Sequence, residues 1–117
     1  MKLQLDGQHL RLRIEEDELG VLTAGGTVET ATRLAAALTI RCSLTLSSHP
    51  DAQCAGTPDH WQIRLPEADV RELARRLPTR EGLHFELAVA EGINLALLFD
   101  IDVRDSARRL KASRAAR

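Results

Sequence analysis

Four arginines, Arg11, Arg13, Arg41 and Arg64, fall on the polar phase of segments whose residues alternate apolar and polar. Guanidinium groups present a planar fork of donors that matches phosphate or carboxylate oxygens. Aligned on neighbouring strands, these four would make a ligand-binding surface for an oxyanion. The same phase carries His84, Glu86, Asp100 and Asp102 further along the chain. Two chemistries follow from that mixture. Opposite charges across strands can simply pair on a solvated sheet face. Alternatively, the arginines bind a phosphate ligand while Glu86, Asp100 and Asp102 hold a divalent cation, as a metal-assisted phosphohydrolase would require. Cross-strand pairing is the simpler expectation, because alternating charge decorates many sheets.

A second group, Cys42, His49, Asp51, Cys54 and His60, carries metal-ligand side chains within a short stretch. Its spacings match no standard zinc motif, and Cys42 falls on an apolar phase. No metal and no cofactor is therefore expected. Glycine-rich phosphate loops, nucleophile elbows and His-Glu-x-x-His segments are absent. No catalytic residue stands out, and a non-enzymatic binding or interaction module is the leading expectation. The phosphate-binding protein or phosphohydrolase is the alternative.

The elements that must carry these residues are legible from periodicity. Leu3 and Leu5, the turn pair Asp6-Gly7, and then Leu10, Leu12 and Ile14 read as a hairpin. Glu15-Glu16-Asp17-Glu18 precedes Leu19, Val21 and Leu22. Four acids at the start of a short helix suit the positive end of its dipole, so the cluster needs no metal. Gly25-Gly26 ends that helix. Thr27 to Leu34 is a β-branched strand, Ala35 to Ala37 a turn or extension, and Leu38 to Leu46 a cleanly alternating strand. Residues 47–59 read as a loop by composition. Trp61, Ile63 and Leu65 form the next strand. Pro66 opens a helix whose Val70, Leu73, Ala74 and Leu77 share one face. Leu83 to Val89 and Leu95 to Val103 close the chain as a hairpin around Glu91-Gly92.

The order strand–helix–strand–strand thus occurs twice. His9, Arg13, Glu16 and Leu22 of the first copy match His60, Arg64, Glu67 and Leu73 of the second. The expected fold is α+β: mainly antiparallel sheet, or a partly closed barrel, with two short helices. The expected single domain is 1–105, with pseudo-repeats 9–48 and 60–103 and the connector 47–59 between them. A pseudo-twofold would set Arg13 opposite Arg64 and His9 opposite His60.

The opening segment Met1 to Ile14, a Met-Lys strand, a Gly turn and a Leu-Arg-Leu-Arg strand leading into an acidic helix, resembles the start of a family of small bacterial proteins without assigned function. The similarity covers about the first twenty residues. It implies a small bacterial cytoplasmic protein and transfers no catalytic residue.

Composition bounds the remaining possibilities. At 117 residues, 44% hydrophobic and 28% charged, the chain can bury one core without disulfides. Two cysteines in a reducing compartment are expected as free thiols, which agrees with a cytoplasmic protein. No apolar run approaches the roughly 18 residues of a membrane span, so no membrane partner is expected. Trp61, Phe85 and Phe99 are the only aromatics and all fall on apolar faces, leaving no stacking platform for single-stranded nucleic acid. The last fourteen residues hold six basic groups against one acid, whereas the first 103 hold ten against sixteen. Residues 106–117 are expected to be a flexible basic tail. Nucleic acid is not expected to be its partner, and a homodimer through a strand edge or sheet face is the partner considered.

Overall fold

A computed structural model describes residues 1–103, and the expected basic tail lies outside the described residues. Eight strands and two helices follow the order β1 (Lys2–Asp6), β2 (His9–Glu15), α1 (Glu16–Thr23), β3 (Val28–Ala35), β4 (Leu38–Ser47), β5 (Gln53–Thr57), β6 (His60–Pro66), α2 (Glu67–Arg75), β7 (Leu83–Ala90) and β8 (Ile93–Asp102). The class is α+β, as its patterning implies. The strands form two mixed sheets of four, ordered β1-β2-β8-β7 and β3-β4-β6-β5, and neither closes into a barrel.

Each sheet joins two antiparallel hairpins through one parallel pair, β2 with β8 and β4 with β6. Hairpins distant in sequence therefore share a sheet. The first and last hairpins make one sheet, and the two middle hairpins make the other. Helices α1 and α2 touch each other, and each touches both sheets. Their apolar residues Leu19, Leu22, Val70 and Leu73 join the inner faces of the sheets in one cluster. Phe99, Leu12, Leu44 and Leu65 are fully buried there. Apolar burial of this kind is the main favourable term in folding.

Helix α1 begins where its acids predict. The Glu15 backbone N–H donates to Glu18 Oε1 at 3.0 Å, and the Met1 ammonium donates to both Glu18 oxygens at 3.0 and 2.7 Å. Burial works to raise the Glu18 carboxyl, but the ammonium and the Glu15 N–H hold it net below the ordinary value.

One segment departs from its sequence reading. The connector 47–59 contains a strand, β5, which pairs with β6 from Gln53↔Arg64 to Thr57↔His60. Gln-Cys-Ala-Gly-Thr has little β-branched or aromatic character, so patterning does not reveal it. Its backbone ladder to β6 holds it at the sheet edge. The order β-β-α-β-β therefore runs twice, from β1 to β4 and from β5 to β8. Gly56 is required within this strand. It sits at φ +106°, and a Cβ there would collide with the His60 carbonyl oxygen. We expect Gly56→Ala to cost about 3 kcal/mol through positive-φ strain and displacement of β5. A urea midpoint unchanged from wild type would show that β5 carries no stability.

Candidate functional site

Arg11 and Arg13 project from the outer face of β2, on the side opposite Leu10, Leu12 and Ile14 in the core. The alternation of the strand makes this inevitable, because successive side chains point to opposite faces. Register then fixes their neighbours. Arg13 lies between Lys2 on β1 and Asp100 on β8, and Arg11 lies between Gln4 and Leu98. Asp100 is the one buried charged residue among those described, with its side chain only 10% exposed. Its Oδ2 accepts a hydrogen bond from Arg11 Nη2 at 2.6 Å. That bond, reinforced by the carboxylate charge, holds the Arg11 pKa above its ordinary value.

A cleft of about 330 Å³ opens beside this pair, lined by Arg11, Arg13, Arg80, Asp100 and Asp102. Arg80 comes from the connector after α2, and Gly82 lets that connector lie close to β8. A Cβ on Gly82 would stand 2.5 Å from the Phe99 carbonyl oxygen and 3.0 Å from Asp100 Cβ. Three buried polar atoms at the site have no hydrogen-bond partner: Arg11 Nε, Arg13 Nε and Asp100 Oδ1. Buried polar atoms are usually satisfied; here the two Nε–H groups are donors suited to an anion, whereas Asp100 Oδ1 is an acceptor that calls for a donor. Neither Arg13 nor Arg80 has a carboxylate partner among the described residues. A second cleft of about 410 Å³ continues along the same face past Arg11 to His9, His84 and Glu86.

The four expected arginines are divided between the sheets. Arg11 and Arg13 share one face, whereas Arg41 and Arg64 stand on the outer face of the other sheet. Arg13 and Arg64 occupy equivalent positions, as do His9 and His60, but on different sheets rather than facing each other. In the backbone register Arg13 lies opposite Asp100 in one sheet and Arg64 opposite Thr45 in the other. Arg41 and its neighbour Glu29 are 3.9 Å apart and both substantially exposed, a contact worth little.

Near Arg41, a cleft of about 570 Å³ is lined by Arg33, Thr39, Thr57, Asp59 and His60. His60 Nε2 lies 2.9 Å from Ser43 Oγ. The Thr57 hydroxyl donates to Asp59 at 2.7 Å and holds that carboxyl below its ordinary value. Asp59 is spent on that local bond, and no hydrogen bond joins its carboxylate to the His60 ring. The Ser43–His60 contact thus lacks the third group that orients a catalytic base.

The metal readings lose their geometry. Glu86 pairs with Ala96, four residues along β8 from Asp100, and Asp100 is engaged by Arg11. Cys42 packs in the core, where burial and then the nearby Cys54 push its thiol up to about 11. Among the described residues no three His, Cys, Asp or Glu side chains gather as a metal site. Sequence reasoning missed Arg80, which sits in an aperiodic connector, and the Ser43–His60 contact, which needs the parallel β4–β6 register.

No match is found among curated proteins or solved structures. No helix among the described residues is long and apolar enough to cross a membrane. The similarity seen in the opening strands extends well beyond the first twenty residues: residues 1–109 match the profile of a family of unknown function, DUF7009, and the chain belongs to that family.

Proposed function

We propose that this protein is a non-catalytic binding module that takes a small oxyanion, a phosphate or carboxylate group, on the outer face of the β1-β2-β8-β7 sheet. The observation that carries this reading is the pairing pattern around the cleft. Arg11 is fixed by Asp100, while Arg13 and Arg80 flank it with no carboxylate of their own among the described residues. Two free guanidinium groups beside a fixed third can grip one tetrahedral or planar anion from several sides. The carboxylates Asp100 and Asp102 keep the site from being a simple positive patch and favour a ligand of modest charge.

The opposite sheet supports a role for Asp100 beyond folding. Thr45 takes the equivalent position there, so the architecture does not itself demand a buried carboxylate. The matched registers also support reading residues 1–105 as one domain built from a duplicated unit. Two unpaired cysteines agree with a cytoplasmic protein. Self-association into a homodimer belongs to the same reading of an interaction module.

Titration of the full-length chain with inorganic phosphate, followed by amide and arginine side-chain NMR shifts, tests the site. Saturable shifts confined to Arg11, Arg13, Arg80 and Gly82 are expected, weakening as salt screens the charges. Shifts absent at millimolar phosphate, or centred on Arg41 and Arg64, would remove the proposal.

A further inference from the structure

The β3–β4 and β7–β8 hairpins each carry a bulge next to their turn. Register shifts by one residue between Arg33 and Ala35 in the first and between Ala88 and Ala90 in the second. Each bulge leaves a pair of large aliphatic residues in solvent. Leu34 and Leu38 are 58% and 48% exposed, and Val89 and Ile93 are 49% and 47% exposed. These four are most of the exposed large hydrophobic residues in the described chain. Bulges normally blunt sheet edges with charge or twist, yet here both carry apolar pairs.

Charge distinguishes the two tips. Residues 31–41 hold Arg33 and Arg41 and no acid, whereas residues 86–96 hold Glu86 and Glu91 and no base. All four charged side chains are exposed. The tips belong to different sheets of one chain. Each carries a one-residue bulge and an exposed aliphatic pair, and the two are opposite in charge.

We infer that the basic β3–β4 tip of one copy docks on the acidic β7–β8 tip of a second copy. A twofold axis makes this contact twice, because each copy offers one tip of each sign. Leu34 and Leu38 then cover Val89 and Ile93 of the partner while the arginines face the glutamates. Such complementarity sets the register and suppresses the like-with-like pairing of two basic or two acidic tips. This inference rests on the self-association proposed above and adds its surface and its pairing rule.

Sedimentation equilibrium of three full-length chains tests it: wild type, Arg33→Glu with Arg41→Glu, and Glu86→Lys with Glu91→Lys. Wild type is expected at twice the 12.9 kDa chain mass. Each variant alone makes both tips alike in sign, and its dimer dissociation constant should rise at least about a hundredfold. An equimolar mixture of the two variants should restore the dimer, since every contact is again between opposite charges. Restoration also shows that both variants are folded, and Leu34→Ser with Val89→Ser, which should be monomeric, checks the apolar contribution. A wild-type dimer indifferent to the exchanges overturns this surface and leaves self-association standing. Two monomeric variants that do not recombine overturn the pairing rule. A wild type that stays monomeric to about millimolar concentration, where even weak interfaces assemble, overturns both.

Discussion

Phe99→Ala is expected to lower the unfolding free energy by about 4 kcal/mol, within the range for deleting a buried aromatic ring. Phe99 is fully buried at the middle of β8. It pairs with Leu12 on the parallel side and Leu83 on the antiparallel side. Its removal leaves a cavity at the centre of a four-stranded sheet, where the pairing strands cannot collapse without losing register. Domains of this size are stable by only about 5 to 15 kcal/mol, so the variant should unfold at a much lower urea concentration. Leu44 holds the equivalent position in the other sheet, paired with Val28 and Ile63. Leu44→Ala should therefore also be costly, by about 3 kcal/mol. A loss below about 1 kcal/mol for Phe99→Ala would mean that β8 does not sit in a close-packed core.

The physics that makes Phe99 central also explains what the sequence discloses. Alternation assigns side chains to faces, and Leu10, Leu12, Ile14, Cys42, Leu44, Ile63, Leu65, Leu97, Phe99 and Ile101 all lie on the buried face it implies. The helices are equally legible, since acids at the first turn of α1 and Pro66 before α2 mark their starts. Periodicity says nothing about which strands become neighbours. The parallel pairs β2–β8 and β4–β6 join segments far apart in sequence, and they decide which arginines meet. Arg11 and Arg13 were bound to share a face because they are two residues apart on one strand. That Arg41 and Arg64 go to the other sheet is a consequence of topology. Strand β5 escaped because an edge strand of small residues buries little, and its backbone hydrogen bonds leave no mark on composition. Arg80 escaped because no period governs a connector. What places it in the site is the course of the chain after α2 and the close approach that Gly82 allows.

Replacing Arg13 and Arg80 together by alanine is expected to weaken phosphate binding by at least about a hundredfold, while unfolding stability stays within about 1 kcal/mol of wild type. The two expectations diverge for one reason. Neither side chain has a carboxylate partner among the described residues, so the fold loses no ion pair when they go. A bound anion, however, would take charge-assisted hydrogen bonds from each, and each such bond is worth about tenfold or more in affinity. Arg13→Lys gives an intermediate case. It retains the charge but not the planar fork, so affinity should fall by less than in Arg13→Ala and depend more steeply on salt. Calorimetric titration with inorganic phosphate, read beside urea unfolding of the same proteins, separates binding from stability. If the double variant binds phosphate as wild type does, the cleft beside Asp100 is not the site. If it instead unfolds far more easily while binding is retained, Arg13 and Arg80 are parts of the scaffold. Arg11 serves as the internal contrast. Its guanidinium is already committed to Asp100 at 2.6 Å, and its removal would leave that buried carboxylate without its partner. Arg11→Ala should therefore disturb stability and binding together, where loss of Arg13 and Arg80 disturbs binding alone.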